Sequence, residues 1–234
     1  MTKQVHSGHR DRLKNRFREE GLTSFTDIQV LEMLLFYSIP QKDTNELAHA
    51  LLDRFVTLDR VLEAPAYELE KIPGIKQNTS TFLNFVAQLA CRYEVRRVEN
   101  KHEVLDSIRK CGEYLCPRFI GCREEKVYLL CLDAKCKVLD CTEVGEGSIN
   151  ATAISVRKVV EKAMGSSAVS VVLAHNHPSG VAVPSEEDIA TTRRIARALD
   201  AVGVYLVDHI VVADEDYVSL LDSGLYRPDE CRAW

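Results

Sequence analysis

Apolar positions along this chain recur first at helical and then at strand spacing, so helices are expected to lead and strands to follow. Leu13 and Phe17 stand four apart and predict a short helix over Arg10 to Phe17. The run LEMLLFY lies in a helix from Gln29 to Tyr37, capped by Thr26 or Asp27 and ended by Pro40. ELAHALLDRF follows behind a cap at Asp43 or Thr44, and shorter helices fit Leu58 to Leu62 and Tyr67 to Lys71. After Ile72-Pro73-Gly74-Ile75 a helix is expected from Asn78 or Thr79 to about Arg92. Arg92 to Lys101 is dense in charge and poor in core residues, which places a domain boundary there.

Beyond it, a helix over Glu103 to Tyr114 precedes a change of period. KVYLLCLD and KVLDCTEV read as strands joined at Ala134-Lys135, the second broken by Gly145, Gly147 and Ser148. A helix from Ala153 to Met164 leads to the strand VSVVLAHNH, then to a helix ending near Ala201 and stopped by Gly203. VYLVDHIVVAD is a last long strand, turned at Glu215-Asp216 into YVSLL. The expected fold is therefore α/β: a mixed, partly antiparallel sheet flanked by helices over residues 103–228, preceded by a small all-α domain over residues 1–95.

Composition narrows the classes. A chain of 234 residues with 46% apolar and 28% charged residues can build packed cores, and a net charge of −5 argues against a globally basic nucleic-acid binder. No apolar run approaches a membrane span and the first residues lack a signal-like stretch, so a cytoplasmic protein without membrane contact is expected. None of the eight cysteines forms a Cys-x2-Cys pair, so they are read as reduced, small apolar residues. Nothing in the pattern specifies an oligomeric state.

The chemistry concentrates in VSVVLAHNHPSGVAVPSEED. His175 and His177 end an apolar strand, and alternate side chains on a strand share a face. Pro178-Ser179-Gly180 turns the chain, and Ser185 to Asp188 forms a capping box with Asp in place of the usual Glu or Gln. The return brings a helix N-terminus, with the Asp188 carboxylate in its first turn, towards the two imidazoles. Two histidines and one aspartate make a three-ligand site, for which zinc with an open fourth position is the natural occupant. Rival metal signatures are missing: no His-x-Glu with a later Pro-Cys-x2-Cys, no Asp-His after His-x-His, and no His-Glu-x2-His. Asp208-His209 within the last long strand reads as a structural pair, with a second metal site as the alternative.

His-x-His, seven residues, Ser, two residues, Asp resembles the JAMM signature of MPN-domain metallopeptidases, and HNHPSG…PSxxD is similar to its bacterial RadC branch. Val181-Ala182-Val183 departs from that branch, which usually carries polar residues there. The resemblance implies the MPN fold, one zinc held by His175, His177 and Asp188, and amide or isopeptide hydrolysis of a peptide or protein substrate. It further implies that Glu125, just before the first strand of that domain, is the general base. Ser185 would then help to hold the developing oxyanion. Strand alternation aims neighbouring Glu124 the other way.

The N-terminal third offers the competing function. Helix, Ile72-Pro73-Gly74-Ile75 and helix form a helix-hairpin-helix-like pattern whose hairpin amides can hold a DNA phosphate, although Lys76 replaces the usual second glycine. The basic residues before position 20 read as a solvated helix face, with phosphate contact as the alternative. The second reading of the whole is thus a DNA-associated accessory protein in repair or recombination, with a structural or vestigial zinc site.

Overall fold

A computed structural model describes residues 7–40, 43–101, 104–146, 154–214 and 216–228. Contacts divide the chain into Met1–Ala90 and Cys91–Trp234.

The first unit is helical: α1 (Ser7–Glu20), α2 (Asp27–Ser38), α3 (Asn45–Phe55), α4 (Leu58–Glu63), α5 (Ala66–Leu69) and the start of α6 (Gln77–Lys101). Thr26 caps α2 in a full capping box with Gln29, which fixes where the apolar run begins to coil. Asp43 Oδ1 accepts the Asn45 N–H at 3.0 Å, so the bond that opens α3 comes from Asp43 while Thr44 holds the cap position. Leu31, Leu35, Leu51, Leu69 and Leu83 are fully buried in one cluster, each worth about 1.5–3 kcal/mol of apolar burial.

Two expectations for this region change. Two cations of α1, Arg10 and Arg16, are engaged within the unit, whereas Arg12 and Arg18 are exposed as a solvated face would have them. Arg10 donates to Ile39 O and Pro40 O at the end of α2 and stacks on Phe36; Arg16 bonds Ser24 O and Gln29 and lies over Phe25. Free carbonyls at a helix C-terminus and nearby aromatic faces give a guanidinium local partners. The charged stretch expected as a boundary also stays helical, so the contact division falls inside α6. Its residues are mostly good helix formers, and Arg97–Glu94 and Arg96–Glu99 pair at helical spacing.

The second unit is α/β. α7 (Ile108–Leu115) precedes β1 (Lys126–Leu132) and β2 (Val138–Glu146); α8 (Val156–Gly165), β3 (Ser170–Asn176), α9 (Glu186–Asp200), β4 (Tyr205–Ala213) and β5 (Asp216–Ser219) follow. α7 starts later than predicted because Ser107 caps it and Val104 is drawn into a bridge with Lys137; Glu103 lies outside the described residues. Strand β2 runs through Gly145, while Gly147, Ser148, Ala153 and Glu215, also used in the sequence reading, lie outside the described residues.

The sheet order is β2-β1-β3-β4-β5, with β3 and β4 parallel and the other pairs antiparallel. Its two faces bury different residues. Val171, Leu173 and Val211 pack with Val159 of α8 and with Ile195 and Leu199 of α9. Val172, Ala174, Ile210 and Val212 pack with Tyr114 and Leu115 of α7 and with Phe119. Covered on both sides, β3 is a continuous apolar run, as a central strand beside a parallel neighbour should be. Burial pushes the Cys111 and Cys141 thiols up to about 12, so they pack as small apolar groups.

Candidate metal centre

The alternation of β3 decides where its first histidine points. Val171, Leu173 and His175 share the face covered by α8 and α9, and His175 is buried at its end. His177 lies just past the strand, half-buried, with its N–H bonded to Val212 O at 2.8 Å. Gly180 N–H then closes a turn onto His177 O, and the φ of +79° at Gly180 is one that other residues adopt only with strain. Behind the turn, Ser185 caps α9 and brings Asp188 in its first turn against the histidines.

His175 Nε2 lies 2.9 Å from His177 Nε2 and 3.3 Å from Asp188 Oδ1, and His177 Nε2 is 3.5 Å from Asp188 Oδ2. Four ligands tetrahedrally placed about one zinc-sized ion have edges of about 3.4 Å. Two imidazoles and a carboxylate at these separations fit such a metal, and His175, His177 and Asp188 are the group among the described residues that can hold one. His177 Nδ1 faces Val181 O at 3.0 Å; a carbonyl only accepts, so Nδ1 donates this bond and Nε2 is the ring nitrogen left for the metal position. Burial holds the His175 imidazole down to about 4, with Asp188 pulling it up and His177 pushing it further down. His175 is therefore neutral at ordinary pH, and its approach to Asp188 is not a standing ion pair.

Asp188 is held for this position. Its Oδ2 accepts the Ser185 N–H at 2.8 Å and the Ser185 O–H at 2.6 Å, while Ser185 Oγ accepts the Asp188 N–H at 3.1 Å. The hydroxyl that the sequence reading assigned to an oxyanion is thus donated to the carboxylate.

Glu125 is half-buried immediately before β1. Burial raises its carboxyl above the ordinary glutamate range, His177 draws it back, and Asp188 pushes it up again. It therefore lies within electrostatic reach of two of the three candidate ligands. Glu124 is exposed. Between them acts a residue the sequence reading passed over. Asn176 Oδ1 accepts the Lys126 N–H at 2.7 Å, and its Nδ2 donates to Glu124 O at 3.1 Å. One side chain thereby clamps the backbone on both sides of Glu125. Its place between the two histidines was the available signal, since it faces away from the metal position and needs another task.

Asp208 and His209 are both fully buried, and their side chains face different partners. Asp208 accepts from Ser219 Oγ at 2.5 Å and from the Leu221 and His209 N–H groups, whereas the His209 ring turns towards His175.

An α/β domain with a sheet-end pair of histidines met by an aspartate at a helix N-terminus defines a JAB/MPN-type metal-site domain. Residues 105–225 match the RadC-like JAB domain, and the chain belongs to the RadC family. It is 33% identical over 232 residues to the UPF0758 protein FN0909 of Fusobacterium nucleatum, covering 96% of this chain and 100% of that one. No helix among the described residues is long and apolar enough to cross a membrane.

Proposed function

We propose that this chain is a zinc-dependent hydrolase of amide or isopeptide bonds in a peptide or protein substrate. The observation that carries the reading is the convergence of His175, His177 and Asp188 within reach of a partly buried glutamate whose carboxyl is raised. Zinc, when bound, polarises a carbonyl and acidifies water. Glu125 takes the proton of the attacking water and returns it to the departing amine, a task suited to a carboxyl raised towards neutrality. Ser185 holds Asp188, and its O–H reaches a developing oxyanion on turning away from that carboxylate. Val181 and Val183, 56% and 66% exposed, give the loop between β3 and α9 an apolar wall for substrate. The test is the purified full chain assayed against peptide- and isopeptide-linked substrates. Hydrolysis lost to a chelator and restored by zinc supports the reading; zinc-loaded protein inert to every amide class tested counts against it.

Asn176→Ala should separate positioning from ligation. Zinc content is expected to stay as in the wild type, while turnover falls by about 10^2-fold as the Glu125 backbone loosens. Unchanged turnover would remove the clamp from the mechanism.

A second reading, DNA contact by the helical unit, is supported by the turn at residues 72–75. Gly74 takes a φ of +103°, Ile75 N–H bonds Ile72 O at 3.0 Å, and Lys76 is exposed beside it. On this reading Lys76→Glu weakens duplex binding at low salt and lowers the salt slope by about one. No duplex binding by the wild-type chain at any salt would leave the turn a packing element.

A further inference from the structure

We propose that the open groove between α8 and α9 is a docking site for an acidic polypeptide segment, one that sets an apolar side chain between carboxylates. The groove lies on the side of α9 turned away from Asp188 and so stands apart from the metal centre.

α9 has two faces. Asp188, Thr191, Thr192, Ile195, Ala196 and Leu199 are buried towards the sheet, and the helical period then sends Ala190, Arg193, Arg194 and Arg197 outward. These four, with Ala198 and with Val156 from the first turn of α8, line a groove of about 720 Å³. The three arginines are exposed, and none has a hydrogen bond or ion pair from its side chain among the described residues. Other arginines of the same unit do find acids: Arg109 pairs with Glu113, Arg118 with Glu99 and Arg157 with Glu161.

Arg193 and Arg197 stand four apart and Arg194 and Arg197 three apart, spacings at which like charges repel on a helix surface. The helix dipole accounts for Arg197, in the last turn, but fades before Arg193 and Arg194. Cations that repel one another and lack an internal partner are relieved by an anion. A guanidinium fork holds a carboxylate through two parallel hydrogen bonds.

The surroundings of the groove select what carries the anion. Its positive stretch is short. Glu186 and Glu187 are exposed about two turns before Arg193 and Arg194, and Asp200 stands within a turn after Arg197. A nucleic-acid backbone following α9 would bring its phosphates onto these acids, and the net charge of −5 adds repulsion at longer range. The rest of the lining is Val156, Ala190 and Ala198, with no aromatic ring on which a base could stack. Two or three carboxylates match the arginines, and an apolar side chain between them covers the aliphatic lining.

The probe is a library of short peptides, randomised at every position and displayed on beads, panned with the labelled full chain at low salt. Wild type should enrich peptides in which glutamate or aspartate flanks an apolar residue. Affinity for a fluorescent representative, read by anisotropy, should fall about 10-fold in Arg194→Glu or Arg197→Glu and about 10^2-fold in the double variant. Arg194→Lys, which keeps the charge without the fork, should lie between wild type and Arg194→Glu. Arg12→Glu, at an exposed position of the other unit, changes the net charge equally and should leave affinity unaltered. Val156→Ala should weaken the apolar peptide about threefold and leave a version with serine at the apolar position unaffected. A library without enrichment for acids, or an acidic peptide whose affinity survives the double arginine variant, overturns the groove as the site. An oligonucleotide bound more tightly than any peptide, and lost in the same variant, overturns the polypeptide partner. Self-association of the wild type that this variant abolishes would make the occupant a second copy and overturns a separate partner.

Discussion

Glu125→Gln should leave the metal in place and cut turnover by about 10^2- to 10^4-fold, the usual range for loss of a general base. Glutamine keeps the shape of the side chain and can accept a hydrogen bond from water, but it cannot take the proton. The structure makes Glu124→Gln the fitting control. Glu124 is exposed and contributes its backbone carbonyl, not its carboxylate, to the Asn176 clamp. Its conversion to glutamine should be nearly neutral. Turnover and zinc content measured on the same preparations separate the roles. If Glu125→Gln emptied the site, this residue would be a ligand; if Glu124→Gln were the inactive variant, the assignment of the base would be reversed.

His175→Ala, His177→Ala and Asp188→Ala should each reduce zinc from about one ion per chain to a small fraction. The reason is the number of protein ligands: a centre with three has none to spare. Asp188→Ala should also loosen the start of α9, since the carboxylate accepts both the Ser185 N–H and O–H. Losing that reciprocal cap costs about 1 kcal/mol. Asp188→Asn is the informative companion, because it retains an acceptor for the cap while removing the charge from the ligand. Elemental analysis after exhaustive dialysis checks all four. Near-full zinc in the His175→Ala, His177→Ala double variant would place the metal elsewhere.

Most of the helices and strands, and the meeting of His175, His177 and Asp188, could be read from local pattern. The capping box at Ser185–Asp188 and the turn at Gly180 are determined by residues a few positions apart, so their geometry follows from their own chemistry. The apolar run of β3 likewise announced a buried strand ending in histidines. The helical course of Arg92 to Lys101 was missed because few core residues were taken to mean a break. Surface charge pairs and good helix formers sustain a helix without a core face.

The sequence by itself determined that two histidines, a serine and an aspartate would meet around a strand–turn–helix, because every contact in that unit is short-range. Only the tertiary structure decided how the unit is surrounded. Asn176 clamps the Glu125 backbone across 50 positions of sequence, and His209 reaches His175 across 34. Neither partnership leaves a mark on local periodicity. Strand order brings β1 and β4 to either side of β3, and one extra residue in β4 turns His209 towards the centre. A bulge exists only relative to its partner strand, so no pattern within β4 alone could have shown it.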